Sequence, residues 1–314
     1  ATPFFNSHLL EDVEGHTLKM REKYGIEVTV VDISERYLKM LHSPDHGFGK
    51  NFNPCIDCKI MMFSMVREMM EAKGASFLIT GEVLGQRPMS QRRDTLNVIE
   101  RESGTRTLLL RPLCAQLMTE TEVEKKGLVD RSRLLRMSGR GRSAQMKLAE
   151  EYGITDYPAP AGGCILADPI LSRRIAKLYD TKAVLQAAEI TVPDVRILLV
   201  GRQFLLPEGG WIILGRDQRD NGKLLKLASE DDAILRMEDW PGPLAVLKKA
   251  GSRYKDNREL ERDERRAASL VVRYGKKRPD NLQRGLVVCR MRGQKKTIEA
   301  EAAEDEIFAG WALQ

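Results

Sequence analysis

The sequence has no uninterrupted apolar run of about 18 residues or more, which excludes a helical membrane span. No secretory leader pattern stands at its start, and the expected compartment is the cytoplasm. The first residue is alanine rather than methionine, which leaves room for an upstream start. Five cysteines in 314 residues are too few, and odd in number, for a disulfide framework. They point instead to a reducing compartment and to metal or redox work. Internal repeats and low-complexity tracts are absent, so no solenoid is expected. What is present, 42% hydrophobic and 31% charged residues, reads as a soluble globular chain long enough for two domains.

Charge is distributed unevenly. Residues 1–168 carry 23 basic and 23 acidic side chains, whereas residues 169–314 carry 28 and 22, so the whole net charge of +6 lies in the second part. It concentrates between Gly251 and Lys296. A basic half beside a neutral half suggests a polyanionic partner, with nucleic acid the usual candidate.

The first half alternates helical and strand-like patterns. Helices are expected over Leu9–Tyr24, Cys55–Lys73, Met89–Glu102 and Arg142–Tyr152, and strands over Glu27–Asp32, Ser76–Thr80 and Thr107–Leu113. Strands separated by helices imply parallel βαβ units and an α/β doubly wound parallel sheet. A loop-rich stretch with Pro158, Pro160, Gly162, Gly163 and Pro169 precedes a helical connector, Ile170–Ala188. A smaller α+β domain then follows. Its expected strands are Val195–Val200, Trp211–Leu214, Leu244–Leu247, Gly285–Met291 and Thr297–Ala300, with a charged helix over Asn257–Tyr274. The expected domains are 1–168, a connector at 169–190, and 191–314.

Cys55 and Cys58 stand three apart in Asn-Pro-Cys-Ile-Asp-Cys-Lys, and Cys164 lies 106 residues beyond Cys58 in Pro-Ala-Gly-Gly-Cys. At i and i+3 in the first turn of a helix, the first two sulfurs share one face. The helix terminus and Lys59 both favour thiolate. Three chemistries fit these residues. One is a three-cysteine iron–sulfur site with one open iron. The second is persulfide chemistry, with one cysteine carrying sulfur and another resolving a disulfide. The third is structural zinc, which usually takes four protein ligands, and no histidine pair nearby completes the set. Cys114 and Cys289 lie in apolar runs and read as buried structural thiols. Met61, Met62, Met65, Met69 and Met70 on the same helix read as gap-filling core residues.

Three loops add to this. Thr80-Gly81-Glu82 to Arg87 follows a strand directly, where doubly wound sheets bind ligands. A glycine there suits phosphate, and Glu82 could ligate magnesium or act as a base. The stretch from His46 through Gly47, Phe48, Gly49 and Lys50 to Asn51 could contact phosphate or a base. The arginines at 131, 133, 136, 140 and 142 form a basic stretch suited to a polyanion.

The stretches Thr2-Pro3-Phe4-Phe5, HGFGKNFNPCIDCK, TGEVLGQRPMSQRRDTL, LLLRPL, SGRGR and YPAPAGGC resemble the PP-loop ATP pyrophosphatase family, closest to its tRNA sulfurtransferase (thiouridylase-like) branch. The resemblance covers roughly residues 1–170. Gly201-Arg202-Gln203-Phe204 through Leu214-Gly215-Arg216-Asp217, with Asn221 and Trp240-Pro241-Gly242-Pro243, resembles an NFACT-type RNA-binding module.

The first resemblance implies an adenine nucleotide alpha hydrolase-like fold. ATP adenylates an oxygen of a tRNA base, and sulfur then displaces AMP. By position, Cys55, Cys58 and Cys164 would hold a [4Fe-4S] cluster, with Glu82 as a further catalytic residue. Thr2, Pro3 and Phe4 would cradle adenine, and Thr80, Gly81, Glu82 and Arg87 would face phosphate and Mg2+. Lys50, Arg140 and Arg142 are the candidate RNA contacts. The partners implied are tRNA and a sulfur donor, sulfide or a persulfide carrier. No membrane is expected, and a homodimer is compatible with the sequence. The family's S-G-G-x-D-S loop does not occur in this sequence. A trimmed fragment, a loop from another polypeptide and lost ATP use are the three explanations. Two other functions fit: a non-catalytic Fe–S nucleic-acid-binding protein, and a PP-loop enzyme adenylating a small molecule.

Overall fold

A computed structural model describes residues 7–157, 164–179, 190–276 and 283–313. Two compact units result. One is Glu35–Ala167, and the other joins Ala1–Ser34 to Asp168–Gln314. No described helix is long and apolar enough to cross a membrane.

The first unit contains α3 (Ser34–His42, begun in the neighbouring unit), α4 (Cys55–Ala72), β1 (Leu78–Ile79), α5 (Arg93–Glu102), β2 (Leu109–Leu110), α6 (Glu122–Lys125) and α7 (Ser143–Glu151). β1 and β2 pair in parallel, Leu78 with Leu109 and Ile79 with Leu110, with α5 as their crossover. The crossover follows from pattern: α5 buries Leu96 and Ile99, three apart on one face. A lone parallel bridge joins Leu84 to Ser138. Among the described residues the parallel sheet has these two strands, so the βαβ unit is present but a doubly wound sheet is not. Among the described residues the expected strand at Glu27–Asp32 forms no ladder. Its β-branched residues suit a pleated sheet, but a strand exists only where a neighbour takes its N–H and C=O groups. Val31 is 45% exposed instead.

The second unit starts with α1 (Ser7–Glu11) and α2 (Val13–Tyr24). The expected single helix breaks at Asp12, whose Oδ1 accepts from the Gly15 N–H (2.9 Å) and so starts a new helix. Gly25, at φ +66°, closes α2. After α8 (Pro169–Tyr179) the unit continues with α9 (Val192–Ile197), β3 (Arg202–Leu205), β4 (Trp211–Leu214), α10 (Gln218–Leu227), β5 (Ala233–Met237), β6 (Ala245–Leu247), α11 (Asn257–Arg273), β7 (Arg284–Met291), β8 (Gln294–Glu301) and α12 (Asp305–Ala309). Connector positions 180–188 lie outside the described residues. Val195–Val200, expected as a strand, begins inside α9. Thr191 and Asp194 cap one another's backbone, and Pro193 sits in the first turn, so local capping overrides the β-branched pattern.

The six strands form an antiparallel sheet in the order β3-β4-β6-β5-β7-β8. α11 lays Ala267, Ala268, Leu270 and Val271 against Leu235, Leu247, Val287 and Cys289. Gly201 enters β3 at φ +65° against the carbonyl of Leu214, where a Cβ would come within 2.2 Å of that oxygen. Asp263 of α11 is fully buried. It accepts from Gly210 N (2.9 Å) and the Tyr254 hydroxyl (2.9 Å), tying the β3–β4 turn to the helix.

Candidate functional site

Asn53-Pro54 starts α4, which places Cys55 first and Cys58 in the same turn. Asn53 is nearly buried and donates from Nδ2 to Cys55 Sγ (3.2 Å) and to the Met89 sulfur (3.4 Å). Asp57, between the two cysteines, turns inward. It accepts from the backbone N–H of Asp45 (3.1 Å) and His46 (3.2 Å) and pairs with His46 Nδ1 (3.2 Å). The preceding glycine-bearing loop is thereby fixed to the cysteine turn. Phe48 and Phe52 stack in that loop, with centroids 4.1 Å apart. Asn51 reaches Ala167 O (2.5 Å), and Ala167 N donates to Cys164 O (2.8 Å). These bonds draw the Cys164 segment toward the start of α4.

Burial raises Cys58 and Cys164, and smaller raising contributions come from Cys164 and Cys55 at Cys58 and from Cys55 at Cys164. All five cysteines are free. Cys58 is pushed up to about 11, first by burial, against the lowering effects of a hydrogen bond with Tyr37 and of Lys59. A helix terminus contributes about 0.3–1 kcal/mol, less than the roughly 1.4 kcal/mol of one pKa unit. Burial therefore outweighs the expected activation of Cys58. Burial likewise raises Cys164, opposed by the Leu166 backbone and the Arg87 charge. Tyr37, on α3 and 1% exposed, supplies the hydroxyl at Cys58, and burial raises its own pKa. Nothing in the pattern of α3 singles out this tyrosine.

Glu82, at the end of the Thr80-Gly81-Glu82 run, is 3% exposed. Its Oε2 accepts from Arg111 Nε (3.1 Å), and Arg111 also bonds Glu100. Lys59 Nζ lies 3.2 Å from Glu82 Oε1 as an ion pair without hydrogen-bond geometry. Glu82 thus links the cysteine helix, through Lys59, to the end of β2. Glu82 Oε1 and Arg111 Nη2 are buried and make no hydrogen bond, so each retains polar capacity toward a further group. Thr80 N donates to Leu110 O, which fixes the start of this loop. Gly81 has open space where a Cβ would stand.

The basic stretch divides. Arg131 is taken up by Glu124 (2.5 Å) and by Met118 O (2.8 Å), a structural role. Arg140 and Lys50 are exposed, and Arg142 is half-buried at the start of α7. Gly139 N donates to Leu84 O (2.8 Å), so the loop carrying Arg140 adjoins the loop carrying Glu82. Thr2, Pro3 and Phe4 lie outside the described residues. Cys114 and Cys289 are buried, and burial raises both thiols, Cys289 to about 12. The five methionines of α4 are half-buried.

Three half-buried thiols in one region supply the donor chemistry of a three-cysteine iron–sulfur site. Among the described residues, however, no three Cys, His, Asp or Glu side chains are gathered closely enough to hold a metal ion. The donor types suit such a group.

The chain joins an α/β segment bearing these thiols to an antiparallel, helix-backed domain. Residues 4–124 match the family described as thiamine biosynthesis protein (ThiI), and residues 201–312 match the NFACT protein RNA binding domain. Each match covers less than half of the chain, one at its N-terminal part and one at its C-terminal part. No curated protein matches the chain. The solved C-terminal region of the fibronectin/fibrinogen-binding protein from Streptococcus suis is 13% identical over 90% of this chain and 100% of that one, with a TM-score of 0.30. That likeness is too slight to bear on fold or function.

Proposed function

We propose that this protein takes part in ATP-dependent thiolation of tRNA as a sulfurtransferase. One observation carries the reading: Cys55 and Cys58 share the first turn of α4, and the segment of half-buried Cys164 is bonded through Ala167 to Asn51 just before that turn, in a chain whose two ends match ThiI and an RNA-binding domain. In the reaction, an oxygen of a tRNA base attacks ATP and pyrophosphate leaves. Sulfur then attacks the adenylated carbon, and AMP departs with the oxygen. The Thr80–Arg87 loop would face ATP phosphate and Mg2+. Lys50, Arg140 and Arg142 would face the tRNA.

Cys55, Cys58 and Cys164 would hold a [4Fe-4S] cluster. When bound by three thiolates, such a cluster offers one iron to an incoming sulfur atom. Asn53 orients Cys55, Tyr37 donates to Cys58, and Lys59, held by Glu82, keeps positive charge beside the same turn. A second reading uses the same free thiols for persulfide exchange, with one cysteine carrying sulfur and another resolving the disulfide. Nucleoside mass spectrometry of tRNA from cells lacking the gene tests the function. A thiolated nucleoside should vanish, return with the wild-type gene and stay absent with Cys164→Ser. An unchanged nucleoside profile would overturn the reading.

A further inference from the structure

The exposed face of α10 carries a feature that folding does not explain. Arg219, Gly222, Lys223 and Lys226 stand at i, i+3, i+4 and i+7, on one face of the helix. Arg219, Lys223 and Lys226 are exposed, and among the described residues none of their side chains has an ion pair or hydrogen bond. The acid within the helix, Asp220, turns to the buried side and is held by Arg216 (2.6 Å). Like charges at i and i+4 oppose helix formation. Lys223 and Lys226 gain from the helix dipole near its C-terminus, but Arg219 lies in the first turn, where the dipole disfavours a cation.

Gly222 is the second anomaly. Glycine is disfavoured in a helix interior, and here packing does not require it: a Cβ would meet nothing within 4 Å. Its absence leaves bare backbone beside Arg219 and Lys226, one turn away on either side. Three free cations around a spot without a side chain fit a ligand that is anionic, extended and able to approach the helix closely.

We infer that this face of α10 binds the phosphodiester backbone of RNA, with Gly222 as the point of closest approach. The inference rests on the RNA-binding reading of the C-terminal domain and names the surface that performs it. Arginine and the two lysines meet successive phosphates and release their counterions, while Gly222 lets the ribose–phosphate chain lie against the helix. The contact reads charge and shape rather than base sequence.

The test uses the full-length protein and a bulk tRNA preparation, with dissociation constants measured between about 50 and 200 mM salt. Replacing Arg219, Lys223 and Lys226 together by glutamine should weaken binding about tenfold or more at about 100 mM salt. The log–log salt slope should fall by about 2, at about 0.7–0.9 per phosphate contact. Gly222→Gln should raise the melting temperature, because glutamine is the better helix former, and still weaken tRNA binding several-fold. That opposition separates a binding role from a structural one. Unchanged affinity and slope in the triple variant would overturn the proposal, and so would undiminished binding by Gly222→Gln. Loss of binding in an Arg236→Gln, Arg290→Gln double variant on the open sheet face, with the α10 variants unaffected, would also overturn it. A wild-type protein that binds no tRNA at the lowest salt would instead defeat the RNA-binding reading itself.

Discussion

Replacing Tyr37 by phenylalanine removes a hydroxyl from Cys58 and keeps the ring that fills the space. Tyr37 is 1% exposed, so the ring packing survives the change. The Tyr37 hydrogen bond favours the Cys58 thiolate, burial opposes it more strongly, and the thiol stands at about 11 against an ordinary 9.0. A hydrogen bond to a charged acceptor contributes about 1.5–3 kcal/mol, and one pKa unit is about 1.4 kcal/mol. The variant should therefore raise Cys58 by about one to two units and slow its alkylation about tenfold or more at fixed pH. The assay is iodoacetamide labelling of metal-free protein under anaerobic conditions, read by peptide mass spectrometry, with buried Cys289 as the unreactive reference. Cys58 labelling as fast as in the wild type, or faster, would refute the reasoning.

Three further outcomes are expected. Because Cys58 is raised when folded, its contribution to stability is full below about pH 9 and is lost as pH rises toward about 11. Urea unfolding should therefore show a loss of about 2–3 kcal/mol across that window that is absent from Cys58→Ser, and equal slopes in the two proteins would contradict it. Glu82→Gln leaves buried Arg111 with Glu100 as its one carboxylate partner and should cost about 3 kcal/mol in urea unfolding; unchanged stability would mean the network is not formed. Gly49→Ala would bring a Cβ within 2.4 Å of the Met89 sulfur and 2.6 Å of Asn53 Nδ2. It should cost about 1–3 kcal/mol and, by displacing Asn53, change the labelling rate of Cys55. A neutral melting temperature with unchanged labelling would refute that.

Local signals carried well from sequence to structure. Asn53-Pro54 gave the start of α4 to the residue, because a proline at a helix entry restricts the backbone before any tertiary contact forms. Trp211–Leu214 and β7 were legible as apolar or alternating runs bounded by turns. Local signals also misled. The run at Glu27–Asp32 has the composition of a strand but forms no ladder among the described residues, and pairing is a property of two segments. Val195–Val200 has the same composition, yet the Thr191–Asp194 cap makes its first residues helical. In the site, the two clustered cysteines were visible from their spacing. Tyr37 and Arg111 were not, because each meets its partner across tens of residues with no pattern to announce it. Arg131 has a structural role that its spacing among the arginines does not announce: its partners, Glu124 and the Met118 carbonyl, are set by the fold of the loop.

The claim that Cys55, Cys58 and Cys164 together hold a cluster is tested most directly by iron and acid-labile sulfide content after anaerobic purification. Wild-type protein should carry about four of each per chain, and a Cys164→Ser protein that still unfolds cooperatively should lose them. A wild-type protein without iron, or a Cys164→Ser protein with its full complement, would contradict the claim.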